Sequence, residues 1–374
     1  MKSWNKLSVL PLTLAALCAV AIVSLAQDPG PAKDVDQTVA KPRKPAGEPE
    51  DAPIPSKLSK KAAPDALPDT QPSFKSDVSL VNIDVAVLDK NGHFIPNIPR
   101  GNFRILEDNV PQQIKSFGKS QAPMTICLLI EFSAKFQWYG GQTWYQTLAA
   151  SYGFVQTLKA DDYVAVIAYD MHEEILSDFT TDKRQTYEAM QRLRIPGFSE
   201  ANLFDAVADT EERMSKIEGR KAIVLLSSGI DTFSKITYDK ARKAVQEGGV
   251  PIYAIGLMQA LRIMAGARGD SIGFLQADNQ MTTFARESGG MAFFPRFYGE
   301  FPTIFGTISD SLRNQYSIGY APANRARDGK FRKLKVELVN PATNEPLRVT
   351  DEKGKPIKYS IVAKAGYTAP REVE

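Results

Sequence analysis

The earliest regular pattern along the chain is a period-two alternation between residues 80 and 87. One face of this segment carries β-branched residues, which are typical of the buried side of a strand: Val81, Ile83, Val85 and Val87. Asn91-Gly92 follows and predicts a tight turn. Residues 103–117 predict two more short strands around a turn at residues 107–109. The pattern therefore predicts a small antiparallel β unit.

After Pro123 the pattern changes to apolar runs that alternate with segments of helical period. The apolar runs predict strands at residues 125–132, 163–169, 173–179, 222–228, 251–257 and 290–295. The periodic segments predict helices at residues 145–158, 182–194, 203–217, 237–249, 279–288 and 301–312. Such alternation is typical of parallel βαβ units, and continuous apolar strands are buried on both faces. The predicted fold class is α/β, with a doubly wound, mostly parallel, Rossmann-like sheet that binds ligands at the carboxyl ends of its strands.

The pattern returns to strands near the end of the chain. Residues 315–322, 331–339 and 356–367 are strand-like and are separated by Gly, Pro and Asn. Strand-rich segments thus flank the α/β part on both sides. We expect the two flanking segments to pair into one small β-sandwich, into which the α/β domain is inserted.

Two segments precede the folded part. In residues 1–26, Lys2 and Lys6 precede a long apolar run that ends in small residues, which is typical of a signal peptide. Because the run is about as long as the ~20 residues that span a bilayer, an uncleaved anchor is the alternative. Residues 27–72 contain ten prolines and no aromatic residue, so they predict a disordered linker.

The predicted domain organisation follows from these boundaries. It consists of a signal peptide or anchor at 1–26, a Pro-rich linker at 27–72, an N-terminal β unit at 73–122, an α/β domain at 123–314 and a C-terminal β unit at 315–370. The targeting segment predicts an exported protein, located in the periplasm, in the cell envelope or outside the cell.

Composition narrows the function classes further. The 374 residues carry a formal net charge of +3 and no long basic block, which argues against a nucleic-acid partner. With two histidines and two cysteines, the chain has little material for a zinc cluster or a histidine-based catalytic triad. A membrane contact is expected only through the N-terminal segment, if that segment stays uncleaved.

Several segments, in this order and spacing, resemble the von Willebrand factor A-like family, and within it the secreted proteins described from acidobacteria. The resemblance covers roughly residues 78–368 and is carried by VNIDVAVLDKNGHFIPNIPRGNFRILEDN, LLIEFSA, ANLFDAV, IVLLSSGIDTFS, PIYAIGL and QYSIGYAPANRARDGKFRKLKVEL. It implies the same doubly wound sheet and a role in binding other proteins.

Members of that family often hold a divalent ion at a metal-ion-dependent adhesion site. The resemblance implies that its ligands come from an Asp-x-Ser-x-Ser motif, a Thr before the following helix and a later Asp. At the matching positions this chain has Glu131, Ser133, Lys135, Ala201 and Ser228. Mg²⁺ prefers a shell of oxygen ligands, and an ammonium group repels it. The resemblance therefore implies a degenerate site without a cofactor, although weak Mg²⁺ binding is the alternative.

Lys135 is the most consequential of these changes. We expect its ammonium to lie near the metal position and to pair with Glu131, and the alternative is that Lys135 points into solvent. Asp231 matches a further acidic position of the family. It could support a weak metal site together with Ser133, or it could brace the loop.

A cluster of aromatic residues follows the strand end directly. Phe136, Trp138 and Tyr139 are candidates for a platform that contacts a partner. The alternative is that the aromatic residues of this segment pack on the next helix and cover the core.

The functional prediction is an exported, non-enzymatic module for protein binding, adhesion or assembly, with its partner at the top of the sheet. One alternative is a weakly Mg²⁺-dependent adhesin. A second alternative is a hydrolase built from Ser133, Lys135 and Glu131, since serine with lysine as its base is known chemistry. No nucleophile elbow or oxyanion motif accompanies those residues.

Overall fold

The computed structural model describes residues 80–119, 122–134, 142–193, 198–259, 263, 271–350 and 354–371. All of these residues belong to one compact unit, Ser73–Glu374. The predictions of a signal peptide at 1–26 and a linker at 27–72 lie outside the described residues. Within the described ranges, no helix combines the length and the apolar character that crossing a bilayer requires.

Four strands precede the α/β region: β1 (Val81–Asp89), β2 (Phe103–Glu107), β3 (Val110–Gln112) and β4 (Ile114–Lys119). The β-branched face of β1 is buried from Ile83 onwards, but Ala86 on the opposite face is also fully buried. The second half of β1 is therefore covered on both sides. The predicted turn lies at Asp108 and Asn109, which have positive φ angles. Residues 103–119 form three strands where two were predicted, because the second predicted strand is interrupted at residue 113: residues 110–112 pair with β2, whereas residues 114–119 pair with residues 316–320.

The central sheet contains six strands: β5 (Met124–Glu131), β6 (Tyr163–Tyr169), β7 (Glu173–Thr180), β8 (Arg220–Ser227), β9 (Ile252–Gly256) and β10 (Ala292–Phe293). Their order is β10-β9-β8-β5-β6-β7, and only the β6–β7 pair is antiparallel. The predicted doubly wound α/β sheet is thus confirmed. Strand β10 is shorter than predicted, and Pro295 has no N–H with which to extend its ladder.

Helices cover both faces of this sheet. Their bounds are α1 (Gln142–Thr157), α2 (Lys183–Met190), α3 (Leu203–Ser215), α4 (Tyr238–Gly248), α5 (Ser271–Ser288) and α6 (Phe301–Arg313). The predicted apolar stripe of α6 is buried as expected. Helix α5 begins eight residues before the predicted start, since Ile272 and Leu275 are exposed apolar residues that obscure the periodicity of its first two turns.

The final strands are β11 (Tyr316–Tyr320), β12 (Phe331–Leu338), β13 (Val349–Thr350), β14 (Pro356–Ile357), β15 (Tyr359–Val362) and β16 (Gly366–Thr368). Strands β11, β12, β15 and β16 join the N-terminal strands in two sheets, of order β15-β1-β11-β4 and β16-β12-β2-β3, whereas β13 and β14 pair with each other. One hydrophobic cluster, including Ile83, Ile105 and Ile318, joins the two sheets. The chain segments before and after the α/β region therefore build one β-sandwich together.

A buried acid in α3 gives the unit a pH-dependent stability. Glu211 is fully buried, and its Oε2 accepts a hydrogen bond from the Val250 N–H at 3.3 Å. Its Oε1 has no partner within the described residues. Burial raises the pKa of Glu211 well above its usual range. The folded state therefore favours the protonated acid, so its stability falls as the pH rises above the unfolded-state pKa.

We expect Glu211→Gln to remove this dependence, because the neutral amide keeps an oxygen for the Val250 N–H. In urea unfolding from about pH 5 to about pH 8, the wild type should lose up to about 1.4 kcal/mol of unfolding free energy per pH unit relative to the variant. The exposed neighbour Glu212 offers a matched control, and Glu212→Gln should keep the wild-type slope. Equal slopes in all three proteins would contradict a buried protonated Glu211.

Candidate functional site

The candidate site lies where two central strands end side by side. Strands β5 and β8 are parallel neighbours, with Ile130 opposite Leu226. Because parallel strands end at the same edge of a sheet, Glu131 of β5 meets Ser227 of β8 there. Helices cover both faces of these strands, so the polar groups at their ends are buried as well. Glu131 and Ser227 are 0% exposed, and Ser133 and Ser228 are 1% exposed.

Protein donors surround the Glu131 carboxylate. Its Oε1 accepts a hydrogen bond from the Ser133 hydroxyl at 2.7 Å. Its Oε2 accepts hydrogen bonds from the Ser227 hydroxyl at 2.9 Å and from the Ser228 N–H at 2.7 Å. The Ser228 hydroxyl lies between the two oxygens, 2.8 Å from Oε2 and 3.0 Å from Oε1. Donors from three loop or strand-end positions therefore share one buried carboxylate.

A second layer of hydrogen bonds orients two of these serines. The Tyr169 hydroxyl and the Gly229 N–H both donate to Ser227 Oγ at 2.8 Å, and the Ile230 N–H donates to Ser228 Oγ at 3.2 Å. Burial, and next the charge of Glu131, raise the pKa of Tyr169 well above its usual range. Tyr169 therefore stays protonated and remains a donor, which leaves the Ser227 proton for the carboxylate.

Neither Tyr169 nor Ser227 is among the positions that match the family's metal ligands. Tyr169 ends β6 and Ser227 ends β8, and each strand is a parallel neighbour of β5. The only sign of them in the sequence is that each is a polar residue at the end of an apolar run. Only the strand order decides that both reach the same carboxylate.

The positions that match the remaining family ligands lie in neighbouring loops. Ala201 is fully buried and exchanges hydrogen bonds with Thr232, whose Oγ1 accepts from the Ala201 N–H and whose N–H donates to the Ala201 carbonyl. Asp231 Oδ1 accepts from the Phe204 N–H at 3.2 Å and from the Ser234 hydroxyl. Asp231 therefore braces the N-terminus of α3, and no hydrogen bond within the described residues joins it to Glu131.

The described residues do not fit a divalent cation well. Glu131 is the one carboxylate of the cluster, and both of its oxygens already accept hydrogen bonds. Ala201 has no side-chain oxygen, and Ser228 has no charge. No group of three or more acidic, His or Cys side chains suited to a metal occurs in the described part of the chain. A hard cation such as Mg²⁺ requires several free oxygen ligands.

Further carboxylates lie beside the start of α3. The Asn202 amide donates to Glu173 Oε1 at 2.6 Å. Burial raises the pKa of Glu173, and the charges of Asp209 and Asp205 raise it further. This group of acids makes the local potential negative, which favours a neutral or cationic ligand over an anionic one.

Two large apolar side chains are exposed next to the buried cluster. The Phe198 carbonyl accepts from the Ala134 N–H at 2.7 Å, one residue after Ser133, and Phe198 is 50% exposed. The Phe233 N–H donates to the Ala201 carbonyl at 3.1 Å, and Phe233 is 45% exposed. They therefore lie on two different loops whose backbones are hydrogen-bonded to residues of, or next to, the site. The predicted Lys135 contact and the aromatic platform of Phe136, Trp138 and Tyr139 lie outside the described residues.

The comparison with protein families has one result that covers the site. The family profile of the von Willebrand factor type A domain matches residues 126–305. No curated protein matches the sequence significantly. The narrower resemblance to the acidobacterial proteins stays a prediction.

Similar solved structures include three proteins of low identity. Proximal thread matrix protein 1 from the mussel byssus aligns with 55% of this chain at 13% identity and a TM-score of 0.42. The PilB minor pilin from Streptococcus sanguinis aligns with 52% at 11% identity and a TM-score of 0.39. The vWF domain of the type V pili tip protein Mfa5 from Porphyromonas gingivalis aligns with 52% at 13% identity and a TM-score of 0.39.

The alignments differ in how much of the other protein they include. They cover 50% of the byssus protein, 63% of the pilin and 98% of the Mfa5 domain. The chain thus spans about half the length of the byssus protein that it matches.

Proposed function

Residues 126–305 of this chain form a von Willebrand factor type A domain, and from this premise we propose that the chain is an exported, non-enzymatic module that binds a partner protein without a divalent ion. The proposed contact surface is the edge of the central sheet where β5 and β8 end. It consists of the loops around Glu131, Ser133 and Ser228.

The observation that carries this proposal is that hydrogen bonds from the protein already use both oxygens of the Glu131 carboxylate. Donors from Ser133, Ser227 and Ser228 satisfy both of its oxygens. They hold the ends of β5 and β8 together, which is the structural task that a bound ion performs where ligands from several loops converge on it. A preformed surface needs no ion to order its loops before binding, and such preorganisation lowers the cost of association.

The chemistry around the cluster supports an apolar contact with the partner. Exposed aromatic residues are frequent anchors of protein interfaces, and Phe198 and Phe233 are exposed on two loops next to the site. The acids Glu173, Asp205 and Asp209 make an acidic partner side chain an unfavourable ligand here. We therefore propose that the partner contributes apolar side chains and no metal-binding carboxylate.

The burial of Ser133 supports a non-enzymatic role. The residue is 1% exposed, and its hydroxyl donates to Glu131. A nucleophile must reach the substrate's reacting atom, at about 3 Å in a productive complex. No observation within the described residues favours the alternative of a hydrolase. The proposal of export rests on the signal-like pattern of residues 1–26.

Affinity capture from the native envelope fraction tests the proposed surface. We expect the tagged full-length chain to retain a partner equally well with and without a chelator. Phe198→Ala/Phe233→Ala should reduce the retained amount by about tenfold, since truncating two interface anchors commonly has this effect. Retention that a chelator abolishes would contradict the metal-free mode of binding.

Tyr163→Ala supplies the matched control. Tyr163 is also aromatic and 46% exposed, but it opens β6 at the opposite edge of the sheet. Its variant should retain the partner as the wild type does. If Tyr163→Ala lost the partner and the double Phe variant kept it, the binding surface would lie at the other edge.

A further inference from the structure

A cavity at one end of the β-sandwich lies apart from the strand-end site. It has a volume of about 500 Å³ and is bounded by the start of β1, the loop after β11 and strand β16. Cavities that take small molecules commonly measure ~300–1,000 Å³. We call it the basic cavity, after its three cationic lining residues Arg325, Arg327 and Lys364.

The charge of the basic cavity is one-sided. Among its described lining residues, none is acidic. No salt bridge within the described residues joins Arg325, Arg327 or Lys364 to a carboxylate. By contrast, Arg332 of β12, the strand that pairs with β16, forms a salt bridge with Asp328 at 2.8 Å. The lining of the cavity therefore carries a net positive charge, which an anion would neutralise.

Lys364 is the most enclosed of the three cations. Burial lowers its pKa, and the charge of Asp84 partly opposes this effect. An ammonium that has lost part of its hydration gains more from an anionic partner than a fully hydrated one does. Lys364 is thus a suitable contact for the charged end of a ligand.

Two separate sets of hydrogen bonds hold the wall of the cavity. Tyr367 lines the cavity, and its hydroxyl donates to Glu107 Oε2 at 3.0 Å. Opposite Tyr367 on β12 lies Arg332, which is 5% exposed and donates to the Ala326 carbonyl at 3.4 Å and to Asp328 at 2.8 Å. Ala326 sits between the two cavity arginines. The hydrogen bonds of Arg332 therefore help to hold the loop that carries these arginines.

Most of the remaining lining is apolar, although two asparagines and one threonine also contribute to it. Leu80, Val81, Ala369 and Pro370 contribute aliphatic surface, and Tyr367 contributes an aromatic ring. A ligand that filled the cavity would thus need an uncharged, ring-bearing or aliphatic body beside its charged group. Simple inorganic anions satisfy only part of this description.

We propose that the basic cavity binds a small organic anion, a phosphate or carboxylate attached to an apolar or ring-bearing body. The anionic group contacts Arg325, Arg327 and Lys364, and the body lies on Tyr367. Soluble esters and lipid headgroups share this chemistry. The site belongs to the β-sandwich and does not depend on the proposed partner surface of the α/β domain.

Isothermal titration of the full-length chain with phenyl phosphate, beside inorganic phosphate, tests this proposal. We expect phenyl phosphate to bind about tenfold more tightly than inorganic phosphate, since only it has a body for the apolar wall. Arg325→Gln/Arg327→Gln should weaken phenyl phosphate binding by about tenfold, because charge-assisted hydrogen bonds are lost.

The matched control removes two cations from the same β-sandwich but outside the cavity. Arg348 and Lys358 are exposed and do not line it, so Arg348→Gln/Lys358→Gln should keep the affinity within about twofold. If both double variants bound phenyl phosphate equally weakly, the effect would come from the overall charge of the protein, and the proposal would be overturned. So would the absence of any binding.

A second arm identifies the source of the anion. Co-sedimentation with vesicles that contain phosphatidic acid, compared with neutral vesicles, reports on a headgroup. Vesicle binding that the cavity variant loses assigns the site to a lipid headgroup, and binding of phenyl phosphate alone assigns it to a soluble ester. Binding of either probe that persists unchanged in the cavity variant overturns the proposal.

Discussion

Glu131→Ala should destabilise the folded unit more than any other single change at the strand-end site. It removes the acceptor of hydrogen bonds from the Ser133, Ser227 and Ser228 hydroxyls and from the Ser228 N–H, all in a fully buried place. Unpaired buried donors cost about 1–3 kcal/mol each, although hydroxyl groups can turn towards other acceptors. We expect a loss of about 4 kcal/mol in unfolding free energy and a fall in Tm of roughly 10 °C.

Two further variants show whether the effect comes from the hydrogen bonds. Glu131→Gln keeps the size of the side chain and one acceptor oxygen, but it points an N–H₂ group towards other donors. It should therefore lie between the wild type and Glu131→Ala in thermal and urea unfolding. Glu174→Ala removes an exposed carboxylate from β7 and should change the Tm little. A Glu131→Ala protein as stable as the wild type would mean that the carboxylate does not hold the strand ends together.

A fourfold variant should gain a metal response that the wild type lacks. Glu131→Asp/Lys135→Ser/Ala201→Thr/Ser228→Asp places the family's ligand types at all changed positions. It adds one acid and two hydroxyls, and it removes the Ser228 hydroxyl and an ammonium, so that the resulting groups supply the oxygen shell that Mg²⁺ prefers. With about 10 mM Mg²⁺ and a Kd near 0.1 mM, ligand linkage stabilises the folded state by about 2.7 kcal/mol.

Thermal unfolding with and without Mg²⁺ measures this gain. Without metal, the fourfold variant should melt below the wild type, because two carboxylates then repel each other in a buried place. Addition of Mg²⁺ should raise its Tm, and the wild type should not respond. A threefold variant that keeps Ser228 is the matched control and should respond less. If Mg²⁺ raised the Tm of the wild type, the proposal of metal-free binding would be wrong.

Local hydrophobic patterns predicted most of the strands and helices. The apolar runs that end at Glu131 and Ser227 predicted parallel strands, and the predicted stripe of α6 is buried. These predictions succeed because each depends on the spacing of side chains within one element. The start of α5 was predicted eight residues too late, since exposed apolar residues break that spacing.

The candidate site shows where local patterns stop being informative. The sequence predicted that Glu131 closes a core strand, and the family resemblance drew attention to Ser133 and Ser228. The expected pairing of Lys135 with Glu131, and its alternative that Lys135 points into solvent, both stay predictions. The hydroxyls of Ser227 and Tyr169 also belong to the hydrogen-bond network of Glu131, although neither residue was predicted as part of the site.

By itself, the sequence determined which segments become strands and helices and which charged group ends up at the close of the first central strand. The tertiary structure alone decided what surrounds that carboxylate. Apart from Ser133, its donors come from β8 and the loop that follows, 96 and 97 residues further along the chain, and they reach it because β8 pairs with β5 in a register that aligns the two strand ends. Side-chain spacing acts over a few residues, whereas strand order and register emerge only when the whole sheet closes over its core.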